Sequence, residues 1–276
     1  MDTIAYPVSI PVLHASLGSP RAPLLIDVRR SAAYEVDDRA IASAIWCDPF
    51  SVADWNIFLP RHRQVVVYCV HGHEISQNVC AALRATGLDA RYLDGGIETW
   101  KAQRLPCARK QAALGLPAAP NAGTKWVTRE RPKIDRIACP WLIRRFIDPL
   151  ARFIYVAATD VASTAIAQNA IAYDVPGVQF THRDDSCSFD ALIADFGIDD
   201  PALHALANIV RGADTGMPGL TPQSPGLLAI SLGLSALYAD DLAMLEQGMI
   251  VYDALFAWLK HASGEGHNAD LFRARP

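Results

Sequence analysis

The run Gln64-Val65-Val66-Val67-Tyr68-Cys69 restricts the fold of this chain more than any other stretch. It is apolar, β-branched and without polar alternation, so the strand it forms must be covered on both faces. Such a strand is central in a parallel sheet, and parallel neighbours need crossover connections, usually helices. The flanking sequence supplies them. Residues 23–28 read as a second buried strand and 31–34 as a short helix. Residues 44–47 form an extended run, 76–85 a helix that Gly87 is placed to end, 90–93 a strand and 97–103 a helix. The expectation is an α/β unit, a doubly wound parallel sheet over residues 1–107.

A chain of 276 residues is about twice the common domain size, which predicts a second unit. Pro106, Pro117 and Pro120, with Ala and Gly between them, predict an irregular linker over 108–123. The second unit, 124–276, is helix-rich α+β. Cys139-Pro140, Asp200-Pro201 and Ser224-Pro225 each place proline at a helix start, and 153–156 and 178–181 are its expected strands. With 51% hydrophobic residues there is material for two cores, and a net charge of −4 argues against a general nucleic-acid binder. The first residues carry no basic start, and the longest apolar stretch, from Gly226 to Ala239, is broken by Ser and Gly. Both observations predict a cytoplasmic protein without a membrane partner.

Six cysteines, at 47, 69, 80, 107, 139 and 187, show no C-x-x-C spacing; in a reducing compartment they are free thiols. Cys69 differs from the rest because it ends the strongest strand and opens the loop Cys69-Val70-His71-Gly72-His73-Glu74 before a helix. Backbone N–H groups at such a junction can hold an anion, and the same field favours a thiolate. Gly72 gives the loop the freedom to curl. The other reading of Cys69 is a buried residue that merely ends a strand. Cys47 and Cys80 read as packing residues, with a resolving thiol as the lesser alternative.

Leu24-Leu25-Ile26-Asp27-Val28-Arg29, Tyr34-Glu35, Ala44-Ile45, the Cys69 loop and Tyr92-Leu93-Asp94-Gly95-Gly96-Ile97-Glu98-Thr99-Trp100 resemble the rhodanese family in order and spacing. The resemblance implies a rhodanese-like doubly wound domain. In it Cys69 accepts sulfane sulfur as a persulfide from a small donor such as thiosulfate and passes it to a thiol or other nucleophile, without a cofactor. It also implies that Val70, His71, Gly72, His73, Glu74 and Ile75 bind the substrate, and that Asp27, Arg29, Gly95, Gly96 and Trp100 hold the scaffold. Glu74 stands where active members often carry Arg, Ser or Thr, which predicts that anionic thiosulfate is a poor donor. The related phosphatases end their longer loop in arginine; Ile75 takes that place, which argues against phosphate chemistry.

In the second unit, seven Lys and Arg fall between 125 and 145 against Glu130 and Asp135. Such a patch can receive an oxyanion, or can be a solvated face paired within itself. Cys139 reads either as a helix N-cap thiol or as a packing residue. His182 and Cys187, five residues apart, are candidate ligands for zinc or iron with Asp214, which Arg211 accompanies at a helix end; a hydrogen-bonded structural loop is the alternative. These segments, with Pro225-Gly226-Leu227-Leu228-Ala229-Ile230 and Tyr252-Asp253, resemble the C-terminal domain of chromate-resistance B proteins. That resemblance implies a role near chromate or oxidative-stress resistance. The expectation is therefore a sulfurtransferase of rhodanese type; the alternative is an oxyanion- or metal-sensing protein with a weakly catalytic first domain.

Overall fold

Five parallel strands form the first sheet of the computed structural model, which describes residues 6–117 and 123–265. In chain order the elements are β1 (Pro7–Val8), α1 (Ile10–Ser16), β2 (Leu24–Asp27), α2 (Ser31–Glu35), β3 (Arg39–Ile41), β4 (Ile45–Trp46), α3 (Val52–Trp55), β5 (Val65–Tyr68), α4 (Glu74–Ala85), β6 (Ala90–Leu93) and α5 (Gly96–Ala102). The sheet runs β1-β6-β5-β2-β4, with Leu24 opposite Val65 and Val65 opposite Ala90. Every residue of β2 and β5 is buried. Successive side chains enter different cores. Leu24, Ile26, Val65 and Val67 pack with Val79 and Leu83 on one face, while Leu25, Val66 and Tyr68 pack with Leu13, Ile97 and Trp100 on the other. This two-sided burial is why the strands lack polar alternation.

The expected linker begins instead as structure. β7 (Cys107–Arg109) pairs antiparallel with β3, Ala40 opposite Ala108, and Gln111–Leu114 adds a 3-10 turn. Pro106 precedes the strand, and its carbonyl accepts from Trp100 Nε1 at 3.1 Å, so proline here marks an entry and not a break. Residues 118–122, with Pro120, lie outside the described residues, as do 1–5 and 266–276 at the outer limits of the two expected units.

The second unit comprises β8 (Lys125–Arg129), α6 (Asp135–Leu142), β9 (Arg152–Val156), α7 (Val161–Gln168), β10 (Ile171–Ala172), α8 (Ser188–Phe196), α9 (Pro201–Asp214), α10 (Ser224–Leu237) and α11 (Asp241–His261). Its sheet is parallel, in the order β10-β8-β9. Two expectations are corrected. The segment 178–181 forms only a single bridge, Phe180 to Tyr173, and the central strand is β8. Cys139-Pro140 does not start a helix: α6 opens at Asp135, and Pro140 lies inside it. Lacking an N–H, Pro140 leaves the Arg136 carbonyl without its helical donor, and the hydroxyls of Tyr155 and Tyr173 approach that oxygen at 3.2 and 3.4 Å. The helix then loosens into a π turn, Ile143–Ile147.

Trp126, Trp141, Phe146, Phe180, Phe189 and Phe196 fill the second core, against which Ala42 and Ala108 of the first unit also pack. α11 is long and apolar enough to cross a bilayer by length and composition. Here Met244, Leu245, Met249, Tyr252 and Phe256 on one of its sides are buried, and it packs on α6 and α9.

Candidate active site

The loop of residues 69–73 joins β5 to α4. Cys69 is 5% exposed, at the base of the loop. Burial alone would raise its thiol pKa. Hydrogen bonds from the Ser76 hydroxyl and from the backbone amides of Ser76, His71 and His73 outweigh burial, and the thiol lies below its ordinary value. The Ser76 Oγ is 3.3 Å from Sγ and 3.0 Å from the His73 carbonyl, so this hydroxyl can donate to the carbonyl beside the thiol and turn to the sulfur once it ionises. Ser76 was not anticipated as a functional group. The signal available was a hydroxyl on the first turn of the helix that follows the cysteine.

The loop rests on the Asp94-Gly95-Gly96 turn. The amides of Ile97 and Glu98 donate to the carbonyls of Cys69 and Val70 at 3.0 and 3.1 Å. Gly72 and Gly96 both have positive φ, and the approach is close. A Cβ on Gly72 would meet Leu93 O at 2.5 Å, and one on Gly96 would meet Val70 O at 2.5 Å and Cys69 O at 2.6 Å. With its own carbonyls turned to this support, the loop has its amides free to face the sulfur. Beneath the sheet, Arg29 binds Asp27 through Nε and Nη2 and reaches Asp37 at 2.6 Å, while Tyr68 donates to Asp27 at 2.9 Å. The buried Asp27–Arg29 pair and the 0% exposed Trp100 are scaffold groups.

His71, His73 and Glu74 are exposed at the mouth, with the two imidazole rings 5.8 Å apart. Glu74 is the first residue of α4. Val70 is half-buried. Ile75 is half-buried too, with its side chain packed against the core. The other cysteines are buried. Burial pushes Cys47 up to about 12 and Cys107 up to about 11, and it raises Cys80, which donates to the Ala90 carbonyl. Cys139, in the middle of α6, is 0% exposed with its thiol pushed well up by burial, which removes the N-cap thiolate reading. Cys69 alone has its thiol pKa lowered.

A second cluster forms in the helix-rich unit. His182 Nε2 lies 3.2 Å from Asp214 Oδ2, 3.3 Å from Asp174 Oδ1 and 3.5 Å from Asp135 Oδ2. Asp135 is buried and accepts from the amides of Ser188 and Phe189 at 2.8 and 3.0 Å, capping α8. Asp174 accepts from Ser188 Oγ at 2.9 Å and pairs with Arg129 and Arg136. Asp135 contributes most to raising the imidazole to about 9; burial, then Asp135, pushes Asp214 up to about 7. Cys187 does not join this group. It is the N-cap of α8, fully buried, with Sγ 3.4 Å from Asp190, and burial pushes its thiol up. Of the expected trio, His182 and Asp214 lie together and Cys187 lies apart; among the described residues the third donor within reach of them is Asp135. Asp135 was missed because, within a stretch of seven basic residues, it reads only as a counter-charge. Arg211 pairs with Asp190 at 2.6 Å. The basic stretch is also paired, through Arg144–Glu246 and Arg145–Asp253 together with the two Asp174 contacts.

Residues 10–103 match the model of the rhodanese-like domain, and residues 126–259 match that of the ChrB C-terminal domain. Protein ChrB of Cupriavidus metallidurans is 37% identical over 135 residues, which cover 49% of this chain and 40% of that protein. Among solved structures, a rhodanese-related protein from Thermoplasma volcanium aligns at 24% identity and a TM-score of 0.33, over 37% of this chain and 96% of its own. A rhodanese-like domain protein from Staphylococcus aureus aligns at 22% identity and 0.32, over 34% and 90% respectively.

Proposed function

From a chain that joins a rhodanese-like domain to a ChrB C-terminal domain, we propose that the first domain is a sulfurtransferase in which Cys69 carries the sulfur. The observation that supports this most is the lowering of one buried thiol by a ring of main-chain and hydroxyl donors. The Cys69 thiolate attacks the outer sulfur of a sulfane donor. A Cys69–S bond forms as the donor's S–S bond breaks, and the donor leaves with the electron pair, as sulfite when the donor is thiosulfate. An acceptor thiolate then attacks the terminal sulfur, and the pair in the Cys69–S bond returns to Cys69. Neither step requires a metal or an external oxidant. The loop amides that hold the thiolate are placed to hold the persulfide anion as well.

The carboxylate of Glu74 opposes a dianionic donor at the mouth, which favours a protein or low-molecular-weight persulfide over thiosulfate. The ChrB-type domain supports a setting in chromate or oxidative-stress resistance. The test is intact mass after incubation with thiosulfate and, separately, with glutathione persulfide. A gain of one sulfur atom that is reversed by thiol, and is absent in Cys69→Ala, is expected. No Cys69-dependent gain with either donor would overturn the proposal in favour of the second reading, which Glu74 supports: a loop that binds an oxyanion without turnover. That reading expects saturable chromate or sulfite binding to a chain that takes up no sulfur.

A further inference from the structure

The cluster around His182 has no part in sulfur transfer, and its spacing is informative. A protonated imidazole nitrogen has one N–H, so it can form one good hydrogen bond. Here Nε2 faces three carboxylate oxygens at 3.2, 3.3 and 3.5 Å. Charge-assisted N–H···O bonds are shorter, about 2.7–2.9 Å. The same separations suit the edges of a coordination polyhedron. Donors about 2.1 Å from a common metal lie roughly 3.0 Å apart at octahedral angles and roughly 3.4 Å apart at tetrahedral ones. One donor atom each from Asp135, His182 and Asp214 lie within 4.8 Å of one another.

The groups around the cluster would also hold such ligands in place. Asp135 is aimed by two amides of α8, and Asp174 by Ser188, Arg129 and Arg136. Asp135 follows Ile134, a β-branched residue at φ 38°, whose amide donates to Ser231 Oγ at 2.8 Å and whose carbonyl accepts from the Tyr252 hydroxyl at 2.7 Å. His182 is 43% exposed, so the fourth side is open to solvent.

We propose that Asp135, His182 and Asp214 bind one divalent first-row transition metal, with Asp174 beside them and positions left open for water or an anionic ligand. Two or three carboxylates with one imidazole make a harder set than the expected thiolate would, which favours Mn(II) or Fe(II) and admits Zn(II).

The test uses the full chain, purified without a histidine tag, stripped by chelator and titrated with Mn(II) alone. Bound metal is read by the loss of the free-ion electron paramagnetic resonance signal and by elemental analysis after gel filtration. One Mn(II) per chain is expected. His182→Ala and Asp214→Asn should each weaken binding by more than about 100-fold while keeping the wild-type circular dichroism spectrum. Cys187→Ser should bind as wild type does. Binding below one-tenth of an equivalent for Mn(II), repeated with Fe(II) and Zn(II), would overturn the site, and so would full retention of metal by both ligand variants. Metal retention that depends on Cys187 would return the site to the thiolate set.

Discussion

Ser76 is the residue whose contribution can be measured most directly. Its hydroxyl and its amide both act on the Cys69 sulfur, and removing the hydroxyl leaves the amides in place. A hydrogen bond to a charged group is worth about 1.5–3 kcal/mol, and one pH unit corresponds to about 1.4 kcal/mol. Ser76→Ala should therefore move the midpoint of Cys69 alkylation by iodoacetamide upward by about one pH unit. The direction follows from the thiolate: a lowered thiol is ionised and reactive above its own pKa, so wild type reaches its plateau at lower pH than the variant. An unshifted profile would mean that the amides alone set the thiol. Glu74 makes the opposite kind of contribution. A carboxylate ~4 Å from an anion costs ~1 kcal/mol in bulk water, a factor of about five. Glu74→Gln should raise kcat/KM for thiosulfate by about fivefold and leave that for an uncharged sulfane donor unchanged; equal effects on both donors would point to altered loop geometry.

At the scale of elements, the sulfur loop depends on the turn beneath it. A Cβ at Gly96 would press on the carbonyls of Cys69 and Val70 at a backbone position, φ 59°, that side chains rarely adopt. Gly96→Ala should cost about 1–3 kcal/mol in urea unfolding and slow Cys69 alkylation at neutral pH, since the amides leave the sulfur as the loop lifts. Stability lost without a change in alkylation would separate the turn from the site. The strands and helices that carry this loop were legible in sequence because each is local. A buried apolar run or a helix ended by glycine declares itself within a few residues, and β2, β5, β6 and α4 lie within two residues of where they were expected. What was not legible depends on distant partners. β7 is three residues long and exists through its pairing with β3, about seventy positions away. β8 was passed over because its mixture of basic and apolar residues hides a central strand, one with Trp126, Val127 and Thr128 buried. Pro140 read as a helix start because proline is welcome there, whereas in α6 two tyrosine hydroxyls from β9 and from beyond β10 compensate the bond it removes. The candidate metal set was half visible for the same reason. His182 and Asp214 stood out as chemistry, but Asp135 joins them only through tertiary packing, of α6 against α8 and against α9, which ends in Asp214.

At the scale of the molecule, α8 links two regions that sequence kept apart. Its N-terminus donates to Asp135 in the His182 cluster. At its other end the carbonyls of Asp195 and Gly197 accept from Arg109 and Arg39, both at 3.0 Å, on the β7–β3 pair of the first unit. The contact continues elsewhere, with Lys260 of α11 donating to the carbonyls of His14 and Leu17 at 3.0 and 3.2 Å, and with the amide of Ser43 donating to Phe146 at 2.7 Å. At Gly18 the fit tolerates no side chain: a Cβ there would lie 2.5 Å from the Phe256 ring and 2.7 Å from that of Phe146. These contacts predict that the two units unfold together. Wild type should melt in one calorimetric transition whose van't Hoff and calorimetric enthalpies agree. Gly18→Val, which wedges the aromatic pair apart, should split that transition or lower its midpoint. Arg39→Ala with Arg109→Ala should do so more mildly, because the carbonyls they leave can be reached by water. Two transitions in wild type would mean that the units are joined without being coupled. A single transition that both variants leave unmoved would show that these contacts fill space between the units without holding them together.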